Sequence, residues 1–148
     1  MAANSNPRFT KVGNIGSVLV TAANTSSQGG GTIGTDIFKA FTADATNGSF
    51  VERVRLMATA TTPTTTTATV ARVFVSSVSS GATTSANTYL VAEVTLPATA
   101  ADNASAATSP LDVPLGLTLA AGWTVLVTTH AAPAANTSWR ATVIGGDY

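Results

Sequence analysis

The sequence predicts an all-β fold: a single-domain antiparallel β-sandwich, of jelly-roll type, with about eight or nine strands. Three observations carry this. Short segments rich in β-branched residues alternate apolar and polar positions, as half-buried strands do. Small polar loops of uneven length separate them. No segment shows the apolar stripe of an amphipathic helix.

The segments follow in chain order. Residues 8–12 and 17–22 read as two early strands split by Gly13-Asn14-Ile15-Gly16. A flexible loop covers 26–32, a strand 33–42 and a turn 44–48. In 49–58, Phe50, Val54, Leu56 and Ala58 point one way and Arg53 and Arg55 the other, with Arg72 placed nearby. The Thr-rich stretch 59–67 reads as a loop. Strands at 69–77 and 88–96 follow, joined by the loop 79–86, and in the second Leu90, Ala92, Val94 and Leu96 share a face. Residues 97–109 form an Ala-rich connector. Val113, Leu115, Leu117 and Leu119 alternate without a break, and Pro114 marks that strand as an edge, since proline cannot donate to a ladder. Gly122 turns the chain into 123–129, and 138–144 closes the domain. The expected core therefore includes Phe50, Val54, Leu56, Leu90, Val94, Leu115, Leu117, Trp123, Val125 and Trp139. Residues 1–7 read as a polar arm and 8–148 as one domain.

Composition narrows the function. Charged residues are 9% of the 148-residue chain and the net charge is zero, against about 25% charged in an average soluble domain. Three arginines make too small a spot for nucleic acid, which needs clustered cations. Ala and Thr together supply roughly a third of the residues, so burial per residue is modest and an oligomer is expected. There is no cysteine. No apolar stretch has the length of a membrane span, and the start lacks the basic and apolar regions of a signal peptide. Synthesis in a cytoplasm, with no membrane partner, follows as the expectation.

Chemistry-bearing motifs are sparse. Residues 29–34 match G-x-G-x-x-G, with Glu52 at a suitable distance for a ribose. The polar stretch 24–28 precedes the glycines where a strand is required, and a strand-like segment follows where a helix is required. A flexible glycine loop is the better account, and no cofactor is expected. His130 is the only histidine, no Ser sits in a nucleophile elbow, and no ligand cluster suits a metal. No catalytic, cofactor-binding or metal-binding residue is assigned, so the chain is expected not to be an enzyme. Trp123 and Trp139 each open a strand in phase with apolar partners, which favours packing over the stacking on sugars that a carbohydrate-binding module would need.

A resemblance extends the reading. The strings Phe50-Val51-Glu52-Arg53-Val54-Arg55, Ala71-Arg72-Val73-Phe74-Val75, Glu93-Val94-Thr95-Leu96-Pro97, Asp112-Val113-Pro114-Leu115, Leu119-Ala120-Ala121-Gly122-Trp123 and Gly145-Gly146-Asp147-Tyr148 resemble small jelly-roll decoration, or cement, proteins of tailed-phage capsids. The resemblance covers about residues 33–148 and is one of overall pattern. It implies a structural virion protein on the outer capsid surface, with the major capsid protein and further copies of itself, as a homotrimer, for partners. It also implies terminal arms that reach the shell, which makes Asn4, Asn6, Pro7 and Arg8 the capsid-contact candidates. A phage tail or fibre component, or a carbohydrate-binding module, is the alternative.

Overall fold

The computed structural model describes residues 10–102, 104 and 107–148. In chain order the strands are β1 (Val12–Val20), β2 (Gly31–Thr32), β3 (Phe38–Thr42), β4 (Ser49–Ala60), β5 (Thr64–Thr65), β6 (Thr69–Ser76), β7 (Ala82–Thr83), β8 (Thr88–Leu96), β9 (Ala100–Ala101), β10 (Leu111–Leu119), β11 (Thr124–Thr129) and β12 (Thr137–Asp147). No helix forms among the described residues. The eight longer strands make two four-stranded antiparallel sheets, a front sheet in the order β1-β12-β4-β10 and a back sheet in the order β3-β11-β6-β8. The two-residue strands pair as ribbons, β2 with β7 and β5 with β9. Among the longer strands, each connection crosses between the sheets except the one from β6 to β8, a winding compatible with a jelly roll.

The inner faces meet in one apolar core. Val54, Leu56, Ala141 and Val143 from the front sheet pack against Ala71, Val73, Val125 and Val127 from the back sheet, and all are fully buried. Trp139 is buried in the same core, while Val94, Leu115, Leu117 and Trp123 are half-buried and pack against it. β10 is the outermost strand of its sheet, paired with β4 alone, which is where Pro114 costs no ladder bond.

Two expected core residues lie elsewhere, each because of a β-bulge. In β4 the register passes over Glu52: Arg53 faces Ile144 and Val51 faces Gly145. Ser49 and Val51 therefore point inward and are fully buried, and Phe50 is turned out of the core, half-buried. In β8 the register passes over Val91, so Ala92 pairs with Val73 but Leu90 pairs with Phe74 on the outer face. Leu90 is 43% exposed as a result. One inserted residue reverses every side chain beyond it.

Other boundaries also move. The residues 13–16 do not split two strands, because β1 pairs with β12 without a break from Val12 to Val20. Gly16 sits where β1 crosses β3, and a Cβ there would come within 2.0 Å of the Ala40 carbonyl oxygen. Glycine is thus required by close approach and not by a turn. The strand expected at 33–42 begins only at Phe38, β4 runs on to Ala60, and β12 extends to Asp147. The loops expected at 59–67 and 79–86 and the connector at 97–109 each contribute a strand of a small ribbon. The arm at 1–7, with Asn4, Asn6, Pro7 and also Arg8, lies outside the described residues.

Candidate interaction surface

The two outer faces of the sandwich differ. On the front sheet, cross-strand rows run Ile15-Ile144-Arg53-Pro114, Ser17-Thr142-Arg55-Asp112 and Leu19-Arg140-Met57. Arg55 donates from Nε to Asp112 Oδ1 and from Nη2 to Oδ2, both at 2.8 Å. That two-pronged bond holds the Asp112 carboxyl below its ordinary range and raises the Arg55 guanidinium above its own. Arg53 pairs with Glu52, and its Nε lies 3.8 Å from Asp112 Oδ2. Arg140 donates to Ser17 Oγ at 3.2 Å. The face thus mixes three guanidinium groups with two carboxylates and a scatter of aliphatic side chains. At one end, Leu19, Thr21, Thr59, Asn136, Ser138 and Arg140 line an open hollow of about 380 Å³.

The outer face of the back sheet is covered over its two central strands, β11 and β6, while Lys39 on β3 and Leu90 and Glu93 on β8 stay exposed. The segment 23–37 and the β2–β7 ribbon belong to a lid over it, beneath which Ile37, Phe74 and Leu126 form a second buried cluster. Asn24 fastens the lid: its backbone N–H donates to the Thr129 carbonyl at 2.8 Å, and its Nδ2 donates to Gly30 O at 3.0 Å and Asp36 Oδ2 at 3.1 Å. The glycine run 29–31 belongs to this lid, where a Cβ on Gly31 would press on Asn24 Nδ2 at 2.5 Å. No helix follows it, so the structure gives the run a packing role. Arg72 is buried on this sheet, donating to Glu93 Oε2 at 2.8 Å and to the Asn24 carbonyl at 3.4 Å. It therefore does not join Arg53 and Arg55, whose strand belongs to the other sheet.

The remaining candidates are scattered. His130 is exposed just beyond β11. Among the described residues no group of three His, Asp or Glu is placed to hold a metal ion. Tyr89, brought to the inner face by the β8 bulge, stacks on Trp123 with ring centroids 6.2 Å apart and planes 17° apart. Sequence reasoning missed the exposed aliphatic row on β1, because it split that strand at its glycines. The signal was available: Val18 and Val20 alternate with Ser17 and Leu19, and the phase continues through Gly16 to Ile15.

No protein-family description and no curated protein matches the chain. Among solved structures, it is similar to a chain of the cyanophage Pam1 capsid asymmetric unit. The two share 18% identity over 99% of this chain and 94% of that one, with a TM-score of 0.40.

Proposed function

We propose that this protein is a structural component of a tailed-phage particle, a decoration protein that docks on the outer surface of the head and clamps neighbouring copies of the major capsid protein. The observation that carries the reading is the open front face. A sandwich that covers the centre of one outer face with a lid and leaves the other open, with Arg53 and Arg55 paired to carboxylates and the aliphatic Ile15 and Leu19 exposed, is built to lie against another surface. The sequence resemblance names the kind of surface. Attachment is multivalent: each copy in an oligomer brings the same weak patch, and several patches held together act as one strong one. The role needs no catalytic residue and no cofactor.

The test is co-sedimentation of the chain with intact phage heads. Binding to heads, weakened by Arg140→Glu on the front face, supports the reading. Failure to bind any head surface removes it and leaves the tail or fibre component ahead.

A second reading, a carbohydrate-binding module, has one observation in its favour. Tyr89 is 45% exposed and stacks on the half-buried Trp123, so an aromatic platform reaches the surface. Glycan-dependent quenching of the tryptophan fluorescence, lost in Tyr89→Ala, would favour it.

A further inference from the structure

Each sheet has two edges, and three of the four are blunted against further pairing. β10 carries Asp112, Pro114 and a register shift between Pro114 and Leu117. β8 carries Glu93 and the bulge at Val91. β3 is five residues long, carries Lys39 and shifts register opposite Val125 and Leu126. β1 has none of these devices. It is nine residues long, has no charged residue and no proline, and pairs with β12 without a shift. Val12, Ile15 and Leu19 are 64%, 69% and 37% exposed. Even the inward-facing Asn14, Gly16 and Val18 are only half-buried, and no described strand pairs with β1 on its far side. A long, regular, uncharged edge is a template for another strand.

We propose that β1 pairs antiparallel with β1 of a second copy, about a two-fold axis through Gly16, joining two front sheets into one eight-stranded sheet. In this register Gly16 faces its own equivalent, Ile15 faces the partner's Ser17, and Leu19 faces the partner's Gly13. Residues that face each other are then both odd or both even, so the outer faces of the two sheets are continuous.

Self-complementarity picks out a second copy as the occupant. A Cβ on Gly13 would meet nothing within 4 Å, and that open space receives the Leu19 side chain of the other copy. The two Ile15 side chains become diagonal neighbours, a separation long side chains can bridge. With Ile144 beside each of them, they make an apolar band of four isoleucines across the seam. Neither strand brings a charge, so no like charges meet and none is left over the band. This pair is two-fold and takes the place of the three copies implied by the family resemblance. It is a property of the free protein and does not rest on docking to a shell.

Sedimentation of the free full-length chain over a concentration series tests the pairing, with Ile15→Lys as the variant and Leu90→Lys on the blunted β8 edge as the control. The parent and the control are expected to reach twice the monomer mass at high concentration. Ile15→Lys, which places a charge in the seam, should weaken association at least tenfold. The chain has no cysteine, so a second measurement is independent of that variant's folding. Ile15→Cys chains mixed with Ser17→Cys chains should form a disulfide between copies faster than either alone, because only directly opposed residues bring Cβ atoms to the roughly 3.5–4.5 Å a disulfide requires. A parent that stays monomeric at its highest soluble concentration would overturn the proposal. So would an oligomer indifferent to Ile15→Lys in a folded variant, or cross-linking no faster in the mixture than in either variant alone.

Discussion

Arg55 on β4 and Asp112 on β10 face each other across the open face of the front sheet and bond through two parallel contacts of 2.8 Å. The pair ties the outermost strand β10 to its neighbour two residues before the Pro114 bulge, where the ladder is about to lose its register. Its pH dependence follows from sign. The folded carboxyl titrates below its unfolded range, chiefly because Arg55 donates to it. The stabilisation is therefore fully present above the unfolded Asp range and lost as pH falls below roughly 4. Asp112→Asn should lower the thermal midpoint slightly at neutral pH, and the gap to the parent should close in acid. A gap that stays constant from neutral to acid pH would remove the ion pair as its cause.

The bulge at Val91 makes a sharp distinction between two leucines that look alike in sequence. Leu56 is fully buried, and Leu56→Ala should cost about 2–5 kcal/mol. Leu90 is turned to the outer face, and Leu90→Ala should cost under about 0.5 kcal/mol. Denaturant unfolding of both variants checks the order, and equal losses would mean β8 keeps one unbroken phase.

The two tryptophans should separate in the same way. Trp139 is buried in the core, so Trp139→Ala should cost about 3–5 kcal/mol. Trp123 is half-buried at the rim against Tyr89, and Trp123→Ala should cost less. The double variant with Tyr89→Ala should recover about 0.5–1.5 kcal/mol of coupling between the rings, read from a double-mutant cycle.

Gly16 and Gly13, three residues apart on one strand, should respond in opposite ways to a methyl group. Gly16→Ala drives a Cβ into the Ala40 carbonyl and should cost about 1–3 kcal/mol through forced separation of β1 and β3. Gly13→Ala meets open space and should leave the free subunit's stability nearly unchanged. Thermal unfolding at low concentration separates the two.

These contrasts also mark what the sequence could and could not reveal. The alternation of Val113, Leu115, Leu117 and Leu119, with Pro114 opposite, was enough to place β10 at an edge, because burial of one face and loss of one donor are both written in residue type. The bulges at Glu52 and Val91 were not legible. A one-residue slip leaves the residues on either side unchanged and alters only which of them face the partner strand, so Phe50 and Leu90 kept the look of core residues. The glycines of β1 misled for a related reason. Glycine marks a turn or a close approach equally well, and only the position of Ala40 decides between them. The open face was half visible: Arg53 and Arg55 shared a side by spacing, but Asp112, Arg140 and Ile15 join them only through pairings of strands distant in sequence.

The arm at residues 1–7 offers the most direct separation of attachment from stability. Apart from Met1 its residues are small, three of them polar (Asn4, Ser5 and Asn6), and it contributes little that a core could bury. The proposed docking role gives it a purpose outside the sandwich, with the Asn4 and Asn6 amides and the following Arg8 as groups able to bond to a shell surface. Deleting residues 1–7 should therefore leave the thermal midpoint and the strand content of the free protein unchanged. The same deletion should weaken co-sedimentation with phage heads, and Asn4→Ala with Asn6→Ala in the intact arm should weaken it in part, since each lost contact subtracts from a multivalent sum. A truncated chain that binds heads as well as the parent would confine docking to the front face. A truncated chain that unfolds more readily would instead make the arm part of the folded sandwich, and attachment would then have to be read from the two Asn variants alone.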